Sequence, residues 1–208
     1  MEREVFELDV LFVGAGPASL ASAYHLRKML KTEGLDASIG IIEKAREVGA
    51  HSLSGAILDP RSLKELIPDF LKKGCPLESE VTSEKMYYLT QNGKLLFPYI
   101  PKQMSHHGCY VLSLGKLTRW FGKLCEESDI DIFTGFSGSE LLYDGNTVIG
   151  VRTGDRGIDK NGNPKPNHEP GVDIRAKVVV LGEGPRGSLT KSLISKYNLM
   201  EGKNPQVW

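Results

Sequence analysis

The sequence predicts an α/β fold in which a parallel sheet grows from a strand–turn–helix–strand unit and takes in a β-rich insertion. Three observations lead there. Leu8–Val13 is a compact apolar run ending at a glycine-rich turn, the pattern of a strand buried on both faces. From Pro17 to about Thr32, Ala18, Ala21, Leu26, Met29 and Leu30 recur at helical spacing, and Gly34 ends the pattern. A second long apolar strand, Lys177–Leu181, again runs into a glycine turn, Gly182-Glu183-Gly184.

The remaining elements follow in chain order. Ser38–Glu43 is a short strand that closes the first unit. A Gly- and Ser-containing loop spans Val48–Leu58, and Asp59-Pro60 can cap and open a helix to about Ile67. Met86–Thr90 and Lys94–Phe97 flank Gln91-Asn92-Gly93, a hairpin signal. Leu117–Cys125 has helical spacing; Ile130–Phe133, Ser139–Tyr143 and Thr147–Arg152 read as strands, the last two joined by Asp144-Gly145-Asn146. Gly154–Gly171, rich in Gly, Pro, Asn and charge and containing Asn161-Gly162, reads as an exposed excursion. Val172–Ala176 leads into the second long strand, and Ser188–Tyr197 is helical. These elements divide into a nucleotide-binding unit over 1–75, a β-rich insertion over 76–112 and a continuation of the first domain over 113–208.

Composition excludes several classes. Hydrophobic residues at 40% and charged residues at 25% are ordinary for a globular protein, so a disordered or collagen-like chain is excluded. Lys+Arg and Asp+Glu both number 26, which leaves no overall basic field to gather nucleic acid. Cys75, Cys109 and Cys125 are too far apart for a Cys-x-x-Cys site and odd in number, so free thiols in a reducing compartment are expected. No apolar run is long enough for a transmembrane helix or shaped like a signal peptide, and with Met1 as the start no transit segment precedes the first strand.

Gly14-Ala15-Gly16-Pro17-Ala18-Ser19 follows the first strand and opens the helix, the context of a Rossmann-type dinucleotide fingerprint. Gly14 permits the tight turn. Gly16, without a Cβ, lets backbone approach a pyrophosphate at a helix N-terminus, where free N–H groups and the helix dipole favour anions. Glu43, closing the second strand, is placed to accept hydrogen bonds from ribose hydroxyls. Two features depart from the pattern. The third glycine is Ser19, expected to hold the helix slightly off the sheet, and Glu43 lies farther past Gly16 than the usual spacing of about 20 residues. These motifs alone leave FAD and NAD as competing ligands.

Val178–Ser188 resembles the later strand and Gly-Asp-Gly turn of the flavoprotein hydroxylase and reductase superfamily, with Glu183 in the Asp position, and this resemblance favours FAD. Glu183 has a second reading as an acid that starts the following helix. The run from Glu43 to Gly55 (EKAREVGAHSLSG), His107-Gly108-Cys109-Tyr110, Leu114-Gly115-Lys116-Leu117, Gly157–Gly162 and Gly182–Leu189 together resemble the electron transfer flavoprotein-ubiquinone oxidoreductase family over nearly the whole chain. The resemblance implies a Rossmann-like FAD-binding domain of the glutathione-reductase type. It also implies a peripheral enzyme at the cytoplasmic face of a membrane that takes electrons from electron transfer flavoprotein and passes them through FAD and a [4Fe-4S] cluster to ubiquinone. The residues it carries over to the cofactor are Gly14, Ala15, Gly16, Pro17, Ala18, Glu43, Lys44, Ser54, Gly55, Gly182, Glu183 and Gly184, with His51 and Ser52 of second rank. No catalytic side chain is expected, because the flavin carries the electrons.

His106-His107 has no acidic or thiolate partner nearby in sequence, so a structural or solvent role is expected rather than a metal. Leu95–Pro101 is apolar and broken by prolines. It reads either as an edge strand packed on the domain or, given the resemblance, as part of the surface that meets bilayer and quinone. The chain stops at Trp208, before the family's cluster cysteines and last flavin-contacting turn, and is expected to be a fragment with weak or no FAD retention. Two other functions remain: an NAD(P)H-dependent flavin reductase or hydroxylase of the geranylgeranyl-reductase kind, and a non-catalytic nucleotide-binding fragment.

Overall fold

The first strand is longer than its apolar run. In the computed structural model, which describes residues 3–53, 55–160 and 163–203, β1 spans Val5–Val13, with its first residues exposed and Leu11, Phe12 and Val13 buried. Helix α1 (Pro17–Glu33) follows and stops at Gly34, whose φ of 65° is the left-handed cap that glycine adopts without strain. β2 (Ile39–Glu43) then lies parallel to β1, with Ile41 opposite Phe12.

β3 (Ala56–Leu58) and α2 (Pro60–Leu66) come next, and the Asp59 carboxylate caps α2 by accepting from the Arg61 N–H. The segment 76–112 contributes β4 (Leu77–Glu80), the hairpin β5 (Tyr87–Leu89) and β6 (Lys94–Leu96), and β7 (Tyr110–Leu112). After it come α3 (Leu114–Glu126), β8 (Asp131–Thr134), β9 (Gly138–Asp144) and β10 (Thr147–Thr153). The chain continues through β11 (Arg156–Ile158), β12 (Pro164–Glu169), β13 (Asp173–Leu181) and α4 (Ser188–Lys196).

The main sheet has the order β8-β2-β1-β13-β10-β9, parallel from β8 to β13 and antiparallel beyond. Its alternating side chains feed two cores. Phe12, Ile39 and Ile41 pack against Leu20, Ala23 and Tyr24 of α1 and Phe121, Leu124 and Cys125 of α3. Leu11, Val13 and Ile42, one step along in each strand, face Leu141, Val151, Ile174 and Leu189 on the other side. Each such fully buried side chain stabilises the fold by roughly 1.5–3 kcal/mol relative to exposure. β13 pairs with β1 along its length but with β10 only over Asp173–Arg175. Past Arg175 its second edge has no strand partner among the described residues, and Val178 is 53% exposed.

Several expectations change. The buried face of α1 is Ser19, Leu20, Ala23, Tyr24 and Arg27, whereas Ala18 and Met29 are exposed. Ala21, Leu26 and Leu30 pack against the edge of that core, and Arg27 lies within the stripe, donating through Nη2 to the Asp129 carbonyl at 2.6 Å. The excursion after β10 is not irregular: β11 and β12 pair antiparallel, and the turn pair Asn161-Gly162 lies outside the described residues. Val172–Leu181 is largely one continuous strand, β13. A three-stranded sheet, β3-β7-β4, was not anticipated; it joins β3, before residue 76, to β7, which ends at Leu112.

The three cysteines are free thiols. Burial pushes Cys125 up to about 12, which keeps it protonated and inert. The β5–β6 hairpin is not packed on the domain: Tyr88, Leu89, Leu95, Leu96 and Tyr99 are each 59% exposed or more. No helix among the described residues is long and apolar enough to cross a membrane.

Candidate functional site

The parallel strands β2, β1 and β13 end side by side, and the turns that leave β1 and β13 are knit together there. Gly14 N–H donates to Ile42 O at 2.7 Å, and Gly182 N–H to Val13 O at 2.9 Å. Gly14 has a φ of 96°, and a Cβ on it would stand 2.7 Å from the Gly182 carbonyl oxygen. The two turns can approach only because Gly14 has no side chain. Ser19, in the third fingerprint position, is 3% exposed and packs against Gly182, which itself leaves no room for a Cβ. The missing glycine of the helix is thus made good on the facing turn. The Ser19 hydroxyl has no hydrogen-bond partner among the described residues.

Beyond the strand ends lies a cleft of about 450 Å3. Its floor is the glycine turn, Gly14 to Gly16, that leads into α1. The first helical residue is Pro17, which has no N–H, and no side chain caps the helix, so the early backbone donors are left for a ligand. Gly16, at φ −76° and ψ 169°, is in ordinary extended backbone, and a Cβ there would meet nothing within 4 Å. No internal contact explains why this position lacks a side chain; the space it keeps open belongs to the cleft.

Glu43 ends β2 in the same cleft. Its carboxylate accepts from the N–H of Ala15 at 2.8 Å and of Ala45 at 2.9 Å, locking strand end and glycine turn together. Each oxygen retains a further lone-pair direction for a ligand hydroxyl. His51 and Ser52 are brought in by a backbone contact: Gly49 (φ 81°) would place a Cβ 2.6 Å from Gly115 O at the start of α3.

Gly182, Glu183 and Gly184 line another wall. The Glu183 carboxylate turns to α4, accepting from Thr190 N–H at 2.8 Å and Leu189 N–H at 3.2 Å. It caps that helix.

Of the expected cofactor contacts, the cleft gathers Gly14, Ala15, Gly16, Glu43, Lys44, His51, Gly182, Glu183 and Gly184. Pro17 and Ala18 are exposed at the helix start and do not line it; nor does Gly55. Ser54 lies outside the described residues. His106 and His107 sit between β6 and β7, where His106 donates its backbone N–H to the Glu84 carboxylate. Among the described residues no three His, Cys, Asp or Glu side chains converge as a metal site.

No family model matches the chain. The probable electron transfer flavoprotein-ubiquinone oxidoreductase of Acinetobacter baylyi is 46% identical over 212 residues, covering 99% of this chain and 37% of the relative. The corresponding mitochondrial proteins of Dictyostelium discoideum and Homo sapiens are 42% and 40% identical, covering 99% and 100% of this chain and 34% of each relative. The chain belongs to the electron transfer flavoprotein-ubiquinone oxidoreductase family. It spans about a third of the length of these curated relatives.

Among solved structures, a geranylgeranyl bacteriochlorophyll reductase-like protein of Thermoplasma acidophilum has a TM-score of 0.59 at 20% identity, covering 86% of this chain and 40% of its own. The myxobacterial chondrochloren halogenase, an FAD-dependent halogenase, has a TM-score of 0.56 at 16% identity, covering 91% of this chain and 39% of its own. These likenesses place the fold among the mixed α/β folds of flavoenzymes.

In this member of the electron transfer flavoprotein-ubiquinone oxidoreductase family, sequence reading missed the wall made by Phe136, Ser137 and Gly138, and Arg186 at the rim. Gly135-Phe136-Ser137-Gly138, a glycine-bounded turn at the end of a strand, was the signal available. Only the pairing of β8 beside β2 makes it part of the cleft.

Proposed function

We propose that this chain is the FAD-binding part of an oxidoreductase that accepts electrons from electron transfer flavoprotein and reduces ubiquinone. The observation that carries the reading is the cleft itself: an uncapped helix start, a Gly16 whose side-chain space is empty, and the Glu43 carboxylate facing the same cavity. These fit an adenine dinucleotide, with the pyrophosphate at Gly16 and the α1 N-terminus and the adenosine ribose at Glu43. Family membership turns the dinucleotide toward FAD. Bound FAD supplies the electron transfer, and this chain's residues bind and orient it. The fold fits the glutathione-reductase type, with 1–75 and 113–208 forming the flavin domain and 76–112 an insertion. A [4Fe-4S] cluster and the ligands for it belong to the rest of the polypeptide.

The test uses the complete protein. Reduction of its flavin by reduced electron transfer flavoprotein, followed by ubiquinone reduction, is the expected result. Reduction by NAD(P)H in place of electron transfer flavoprotein would overturn the reading in favour of a reductase or hydroxylase, and no flavin at all would leave a non-catalytic nucleotide-binding protein.

A peripheral membrane contact is supported by the β5–β6 hairpin. One face presents Tyr87, Leu89 and Leu96, the other Tyr88 and Leu95 followed by Phe97, and every one of these is exposed. Apolar side chains on both faces of a projecting ribbon suit the interfacial zone of a bilayer better than water. Replacing Leu95 and Phe97 by Asp in the complete protein is expected to cut liposome binding about tenfold or more while flavin reduction by electron transfer flavoprotein continues. Unchanged liposome binding would sink this assignment.

A further inference from the structure

The cleft wall Gly135–Gly138 is held from two directions. Gly135 N–H donates to Ala45 O at 2.7 Å and Phe136 N–H to Glu43 O at 2.9 Å, so the segment hangs on the end of β2 that carries the Glu43 carboxylate. From the other side comes Arg156, the first residue of β11 on the excursion. Its Nη2 and Nε both donate to Gly135 O, at 2.6 and 3.2 Å, and its guanidinium carbon lies 4.7 Å from the centroid of the Phe136 ring. Phe133 meets the same ring edge-on at 6.5 Å. Gly135, at φ 77°, could carry no Cβ without meeting Arg156 Nη2 at 2.7 Å. A lysine ammonium cannot match a guanidinium that places two N–H donors on one carbonyl and its central carbon against an aromatic ring.

We infer that Arg156 is a positioning residue for this cleft: by fixing the Gly135 carbonyl and the Phe136 ring, it sets the wall that receives the adenine end of an adenine dinucleotide. The inference rests on the dinucleotide reading above. Glu43 is bound through its carboxylate to the glycine turn at Ala15 and through its carbonyl to Phe136. With pyrophosphate at the turn and ribose at Glu43, the base continues toward Phe136, where an aromatic face suits a planar purine. The excursion, distant in sequence from the glycine turn and from Glu43, thereby becomes part of the nucleotide site. Arg156 also has Glu169 of β12 at 3.8 Å, which orients it without competing for Gly135 O.

The experiment compares ADP, FAD and inorganic pyrophosphate binding to the apo form of the complete protein. Pyrophosphate reaches the glycine turn but not Phe136. Arg156→Gln is expected to weaken ADP and FAD about five- to tenfold, leave pyrophosphate unchanged and hold Tm within about 2 °C. Arg156→Lys is expected to recover only part of the loss. A double-mutant cycle with Phe136→Leu should give a combined effect well short of the product of the single effects. Unchanged ADP binding in Arg156→Gln overturns the inference. So does an equal loss of pyrophosphate accompanied by a fallen Tm, which would mark a general structural role. Glu43→Ala is the control for the underlying reading: if it too leaves ADP binding intact, the dinucleotide assignment fails, whereas a loss there with none in Arg156→Gln rejects only the role of Arg156.

Discussion

Gly14→Ala is expected to destabilise the apo form of the complete protein by about 3–5 kcal/mol, from two costs of about 1–3 kcal/mol each. One is the left-handed side of backbone space, at φ 96°; the other is the overlap of the new methyl with the Gly182 carbonyl 2.7 Å away. Relief would require β1 and β13 to separate where Gly182 N–H bonds Val13 O. The expected readout is a fall in Tm of about 10 °C or more for the transition that unfolds the β1–β13 sheet. Gly34→Ala is the internal comparison, because Gly34 has a similarly positive φ of 65° and nothing within 4 Å of its Cβ direction. It should cost about 1 kcal/mol. Equal losses at the two positions would refute the claim that close approach of the turns, rather than backbone conformation alone, demands Gly14.

Gly16→Val should do the reverse. Valine is at ease at φ −76°, ψ 169° and its methyls enter space that no protein atom fills, so Tm should stay within about 4 °C. On the dinucleotide reading proposed above, that same space is where the pyrophosphate approaches the backbone. Overlap there costs about 3 kcal/mol, which is about a hundredfold in Kd. Reconstituting the apoprotein with FAD and following flavin fluorescence measures it directly. A Gly16→Val protein that keeps its flavin through gel filtration would show that the ligand does not approach the α1 N-terminus as argued. The two variants therefore separate two glycines of one motif, Gly14 serving the fold and Gly16 serving the ligand.

The strand–turn–helix–strand unit was legible because its signals are local. A buried strand needs an unbroken apolar run, the turn needs Gly14, and the helix stop needs Gly34; each is written within a few residues. The burial of Arg27 on α1 was not legible, because it depends on the Asp129 carbonyl about a hundred residues away. Glu183 was read with two alternatives, and geometry gives its carboxylate to α4. The link between the Gly135–Gly138 turn and Arg156 was not legible, since the glycines that bound the turn name no partner and the contact spans 21 residues of sequence.

What the sequence determined by itself was the order of elements around the glycine turn, the acid that closes β2, and the family to which these strings belong. Those are properties of residue type at short spacing. Tertiary structure decided which residues share the cleft: Gly182 making room for Ser19, Gly49 docking on Gly115 to bring in His51, and Arg156 reaching across to Phe136. The reason is physical. Steric fit between backbones and the satisfaction of buried polar groups are set by partners distant in the chain, and a pattern read along the chain carries no record of which distant groups will meet.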